Sequence, residues 1–110
     1  MPLEEAHFHQ IADRTINRLA EVIEADLGDE IDVDVQNEIL SLDLPDSGQY
    51  IVNKNAPLKQ IWLSSPRSGA WHFQWDAELE QWLSTRGEKV ALDALLVDEL
   101  SQITGTKIRF

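Results

Sequence analysis

The sequence predicts an α+β protein, a two-layer α/β sandwich with two terminal helices packed on one face of a five- to six-stranded antiparallel sheet. Three observations lead there. Apolar residues recur at three- and four-residue spacing near both ends of the chain; in the middle they alternate with polar residues; and turn residues punctuate the alternating runs. Helices at the two ends of an antiparallel sheet can bury both apolar stripes only by lying together on one of its faces, which leaves the other face to solvent. All 110 residues belong to a single domain, 1–110, because two independent cores would not fit in a chain of this length.

The first helix runs from Glu4 to about Ala25, where Phe8, Ile11, Ala12, Ile16, Leu19, Val22 and Ile23 form one stripe and Asp13, Asn17, Glu21 and Glu24 project from the other side. Asp26 would fall on the stripe, so the helix is expected to end there, capped by Gly28. Ile31 to Val35 alternates, Gln36-Asn37-Glu38 turns, and Ile39 to Leu44 alternates again, which is a hairpin. Pro45-Asp46-Ser47-Gly48 makes the next turn. Strands follow at Gln49 to Lys54, Leu58 to Ser64, Ala70 to Asp76 and Glu80 to Ser84, broken by Pro57 and by the loop Ser65 to Gly69. Beyond Gly87, Leu92, Leu95, Leu96, Leu100 and Ile103 resume helical spacing, and Gly105 ends the second helix.

Charge narrows the function classes. Nine Lys and Arg against 20 Asp and Glu give a net charge of −11, and the first 46 residues hold 13 of the acids with only two basic residues. A net anion of this size lacks the basic face that phosphate recognition needs, so nucleic acid and anionic membrane surfaces are excluded as partners, whereas cations and basic proteins are favoured. No run approaches the roughly 18 apolar residues of a membrane span. With no Cys there is no disulfide, thiolate metal site or Cys nucleophile, which is compatible with a reducing compartment. No Ser/His/Asp order, phosphate loop or nucleophile elbow stands out, so the expectation is a protein that is not an enzyme.

The acidic excess is concentrated in Glu21, Glu24, Asp26, Asp29, Glu30, Asp32 and Asp34, seven carboxylates within fourteen positions and no base among them. A solvated face normally intersperses Lys. Like charges at helical spacing or on alternate strand positions cost roughly 0.2–0.5 kcal/mol per pair. Clustered oxygen ligands suit hard or borderline cations, Fe²⁺, Fe³⁺, Mn²⁺ or Ca²⁺, bound weakly at open sites. The candidate metal residues are therefore Glu21, Glu24, Asp29, Glu30, Asp32 and Asp34. His9 and Asp13 join them, because His9 lies one turn from both Glu5 and Asp13; a rim histidine is the alternative there. His7 and His9 face apart and form no two-histidine clamp. An EF-hand fails at Asn37, where that loop requires Gly.

The second constellation is Leu58-Lys59-Gln60-Ile61-Trp62-Leu63-Ser64. Alternation separates Ile61 and Leu63 from Gln60, Trp62 and Ser64 without saying which set faces the core. If the aliphatic pair faces the helices, Trp62 stands on the open face beside Gln60 and Asn53 as an amphipathic anchor suited to an interface. Trp71, Phe73, Trp75 and Trp82 read as core aromatics, with His72 and Gln74 outward.

The stretch Tyr50-Ile51-Val52-Asn53-Lys54-Asn55-Ala56-Pro57-Leu58-Lys59-Gln60-Ile61-Trp62-Leu63-Ser64-Ser65-Pro66-Arg67-Ser68-Gly69 closely resembles the signature of the frataxin family. Phe8-His9-Gln10-Ile11-Ala12-Asp13 is similar to that family's first helix, the acidic run to its acidic ridge and Trp82 to its late-strand Trp. The resemblance implies a bacterial-type frataxin homologue that binds iron (Fe²⁺/Fe³⁺) weakly. It implies docking on a cysteine desulfurase and its iron–sulfur scaffold protein, through the ridge carboxylates and through Asn53, Gln60, Trp62 and His72. His72 stands where animal-type members carry Arg, and Ala25 and Leu27 stand where acids occur in other members.

The function so implied is an iron-binding regulator of iron–sulfur cluster assembly, a monomer that oligomerises with iron. A stand-alone divalent-metal buffer and an acidic mimic of nucleic acid are the alternatives. The expected compartment is the bacterial cytoplasm, because the chain opens on Met1 with no presequence, or the mitochondrial matrix after presequence removal.

Overall fold

A computed structural model describes residues 3–46 and 48–110. Met1 and Pro2, on which the reading of the chain start rests, and Ser47 in the expected turn lie outside the described residues. The elements are α1 (Glu5–Leu27), β1 (Asp32–Gln36), β2 (Ile39–Leu44), β3 (Gly48–Asn55), β4 (Gln60–Ser65), β5 (Gly69–Asp76), β6 (Gln81–Ser84) and α2 (Leu92–Thr104). The six strands form one antiparallel meander in the order β1-β2-β3-β4-β5-β6, with both helices on one face, as expected from the sequence.

The core follows from the two periodicities. Helix α1 buries Phe8, Ala12, Ile16, Leu19, Ile23 and Leu27, an unbroken series of three- and four-residue steps. The sheet answers with Leu40, Leu42, Tyr50, Val52, Ile61, Leu63, Phe73 and Trp82, and α2 adds Leu92, Leu96 and Leu100. Trp71 and Trp75 pack against this core half-buried. Trp82 ties β6 to α1 by donating its indole N–H to Thr15 Oγ1 at 2.9 Å.

The end of α1 differs from expectation. The helix continues through Asp26, which is exposed, so that Leu27 completes the buried stripe at 1% exposure. Gly28 caps it in a right-handed conformation (φ −57°) rather than the left-handed one, its N–H donating to Glu24 O at 2.9 Å. Glycine is needed there for space: a Cβ would stand 2.4 Å from that same carbonyl oxygen. Gly105, by contrast, ends α2 in the left-handed region at φ 74°. The β1–β2 turn places Asn37 and Glu38 at φ 52° and 67°, the geometry of a two-residue type I′ hairpin. No described helix is long and apolar enough to cross a membrane.

Candidate metal edge and docking face

Strand pairing sorts the predicted residues into two neighbouring surfaces. Residues paired across strands share a face. Because Val33 and Val35 pair with the inward Leu42 and Leu40, Asp32 and Asp34 must point to the face away from the helices, opposite Asp43 and Ser41. By the same rule Asn53, Trp62 and His72 fall in one cross-strand row on that open face, and Asn55, Gln60 and Gln74 in the next. The choice that alternation left open is settled by Ile61 and Leu63, 0% and 2% exposed against the helices.

Within the row, the side chains are fixed in place. Trp62 stacks on His72 with ring centroids 4.1 Å apart. Its indole N–H donates to Gln60 Oε1 at 2.8 Å, and Gln60 is itself buried. Trp62, His72 and Asn53 are half-buried, so the row offers a flat aromatic and amide surface whose geometry is set before anything docks. No strand residue on this face is Lys or Arg among the described residues.

The metal candidates split into groups. Asp29, Glu30 and Asp32 line a shallow notch of about 370 Å³ between the end of α1 and the β1–β2 hairpin, together with Gly28, Asp43 and Leu44. The Glu24 carboxyl lies against Gly28 at its rim. Glu21 and Asp34 are exposed farther along α1 and β1. Asp43 was not singled out from the sequence; the hairpin register, which sets it opposite Asp32, was the signal that would have found it. Among the described residues, no three His, Asp or Glu side chains converge closely enough to form a closed metal cage. Exposed carboxylates around an open notch match hard cations that keep much of their hydration shell.

His9 and Asp13 stand apart from the notch. They share the Lys54 ammonium, which reaches up from β3 and contacts Asp13 Oδ1 at 2.7 Å, Glu38 Oε2 at 2.8 Å and His9 Nδ1 at 3.0 Å. The contact with Asp13 Oδ1 is an ion pair. Burial alone would lower the pKa of Lys54, but its pairing with the Asp13 and Glu38 carboxylates outweighs it and the ammonium is held above its ordinary value.

Sequence reasoning also missed Glu99. It is 7% exposed under the sheet, accepting hydrogen bonds from the Tyr50 hydroxyl (2.7 Å), the Ser65 hydroxyl (2.6 Å) and the Ser68 hydroxyl (2.6 Å). Burial would raise its pKa; the Ser65, Ser68 and Tyr50 hydroxyls, helped by Arg67, prevail and keep the carboxylate below its usual range. The Ser68 oxygen in turn accepts from the Trp71 indole at 2.8 Å, and Arg86 lies 3.7 Å over that ring. This network moors the β4–β5 loop to α2.

An acidic edge beside an open sheet face whose described strand residues include no Lys or Arg defines the class: a small α+β protein of two helices on a six-stranded antiparallel sheet. The chain belongs to the frataxin family, since a family model described as "Frataxin-like domain" matches residues 1–106. It is 43% identical to the mitochondrial frataxin of Arabidopsis thaliana over 97% of this chain and 59% of that one, so it spans less than two thirds of the plant protein. It is 37% identical to the mitochondrial frataxin homolog of Schizosaccharomyces pombe over 98% of this chain and 70% of that one. The bacterial iron-sulfur cluster assembly protein CyaY of Pseudomonas fluorescens is 31% identical over 100% of this chain and 97% of its own length.

Solved structures agree. A frataxin from Psychromonas ingrahamii superposes with a TM-score of 0.82 at 22% identity, over 96% of this chain and 95% of that one, which shows the shared fold. A trimeric frataxin from Saccharomyces cerevisiae complexed with ferrous iron matches with a TM-score of 0.70 at 32% identity, over 96% and 89% of the two chains.

Proposed function

We propose that this chain is a non-enzymatic, iron-binding regulator of iron–sulfur cluster assembly that docks on a cysteine desulfurase and its scaffold protein. The observation that carries this reading is the Asn53–Trp62–His72 row, braced by Gln60, on the sheet face left open by the helices and beside the acidic edge. A basic surface of the desulfurase would meet Glu21, Asp32 and Asp34, while Trp62 anchors the neighbouring contact. Iron is cargo: Asp29, Glu30, Asp32 and Asp43 hold it loosely at the notch, with Glu24 at the rim and Glu21 and Asp34 extending the field. Its family membership and its similarity to a bacterial cluster-assembly protein support this reading. The working form is a monomer that associates when iron loads it, in the bacterial cytoplasm or in the mitochondrial matrix.

The test is to measure binding of the parent protein and of Trp62→Ala to a purified desulfurase–scaffold complex, with ferrous binding followed in parallel. Loss of complex binding with iron binding retained supports the reading. Iron binding with no affinity of the parent for the complex indicates a stand-alone buffer. Capture of a nucleic-acid-binding protein on its basic groove, with no desulfurase affinity, indicates a mimic.

A further inference from the structure

The proposed function leaves one ionic cluster unused. At the turn end of the hairpin, roughly 15–20 Å from the notch at about 3.3 Å per strand residue, His9, Asp13 and Glu38 surround a single point. That point is occupied by Lys54. Alternation places Lys54 on the core side of β3, after Tyr50 and Val52, and its side chain is 92% buried, being only 8% exposed. Two carboxylate oxygens and one imidazole nitrogen lie 2.7, 2.8 and 3.0 Å from the ammonium nitrogen.

By type, one imidazole nitrogen and two carboxylate oxygens are donors that borderline divalent metals favour; around the ammonium they stand too far apart to hold a metal themselves. Access is not the obstacle. A crevice of about 170 Å³, lined by Asp13, Ile16, Asn17, Val35 and Glu38, opens onto both carboxylates. The centre is already filled by a charge tethered to the chain. A tethered competitor acts at an effective concentration in the millimolar range, which a weakly held free ion does not match.

We propose that Lys54 is the resident cation of the His9–Asp13–Glu38 cluster and that its ammonium confines divalent-metal binding to the notch end of the acidic face. The proposal rests on the metal reading given above and adds to it a residue that determines where metal does not go. It withdraws His9 and Asp13 from the ligand set of the native chain. It also gives Glu38 a partner that offsets its left-handed backbone (φ 67°).

The experiment titrates Zn²⁺, a diamagnetic and redox-inert probe, into the parent, Lys54→Met and Lys54→Arg, reading backbone amide shifts and the imidazole nitrogen shifts of His9. In the parent, amides of residues 28–32 and 43 should move while His9 Nδ1 stays in place. In Lys54→Met, His9 Nδ1 should shift as a metal ligand, with apparent affinity at that end rising about tenfold or more on loss of the tethered competitor. Lys54→Arg, which keeps the charge, should behave as the parent. Coordination of His9 in the parent at the Zn²⁺ level that moves Asp32 would overturn the proposal, and so would a folded Lys54→Met in which His9 stays silent. Should Lys54→Met not fold, the parent and Lys54→Arg decide, and a metal-shifted His9 in either overturns it. Failure of the underlying metal reading looks different: residues 28–32 and 43 would be silent in every variant, whatever His9 does.

Discussion

Trp62 lies flat against His72, the two ring planes 10° from parallel, on the side of the sheet that neither helix covers. The stack holds a large apolar ring at the surface in one orientation, so that a partner docking there would not first have to order it.

Because Trp62 is only half-buried, Trp62→Ala should destabilise the fold by well under the roughly 3–5 kcal/mol of a buried Trp. Affinity for the desulfurase–scaffold complex should fall by about 2 kcal/mol or more, roughly 30-fold, the scale of an aromatic anchor. Urea unfolding and titration calorimetry measure the two. Wild-type affinity in a folded variant would remove the stack from the docking surface.

The Asp32–Asp43 pair sets like charges directly opposite each other. Asp43→Asn should therefore leave stability unchanged or raise it by a few tenths of a kcal/mol at low salt, while weakening Fe²⁺ and Ca²⁺ at the notch. Asp32→Asn with Asp34→Asn should weaken metal binding further and leave Trp62-dependent docking measurable. Undiminished metal affinity in these variants would move the site elsewhere.

Added salt should raise Tm, since screening over about 8 Å at physiological ionic strength spans the separation of the exposed carboxylates. Differential scanning calorimetry between low and moderate salt tests this, and a flat Tm would mean that ridge repulsion contributes nothing.

Glu99 and Lys54 set opposite limbs of the pH profile. The Glu99 pKa is depressed in the folded state, so its contribution is present above the ordinary 4.5 and is lost as pH falls through the folded value. Lys54 and Tyr50 are both raised, Lys54 by its carboxylates and Tyr50 by burial and then Glu99; their contributions are present below about 10 and are lost as pH rises beyond it. Unfolding free energy should thus be level between these limits and fall on both sides. Glu99→Ala, which leaves three hydroxyl donors unmatched, should cost about 3 kcal/mol or more, Glu99→Gln less, and both should flatten the acid limb. An acid limb unchanged in Glu99→Gln would assign it to other groups.

The helix stripes and the alternation of Ile31 to Leu44 made the layers legible, because burial is what those periods encode. The signature stretch pointed to Asn53, Gln60 and Trp62, and cross-strand register then aligned Asn53 and Trp62 with His72. Asp26 misled because its place on a helical wheel was given more weight than Leu27 one residue later. Two charged residues went unread although period carried the signal. Lys54 follows Tyr50 and Val52 at period two, and Glu99 sits on the stripe of Leu92, Leu96 and Ile103. What period cannot supply is the partner, since Tyr50 and Glu99 are 49 residues apart in sequence.

Among the described residues, strand β1 ends the sheet with no strand beyond it, whereas β6 at the other margin is bridged by the chain itself through Leu83 and Ala91. A bare margin of unpaired peptide groups is a template on which another chain can add a strand. Strand addition by a second copy would bring four carboxylates, Asp32 and Asp34 of each, together, and like charges so placed oppose it. A cation bound between them would remove that repulsion and open the template. Self-association along this margin is therefore expected to depend on the occupancy of the acidic edge.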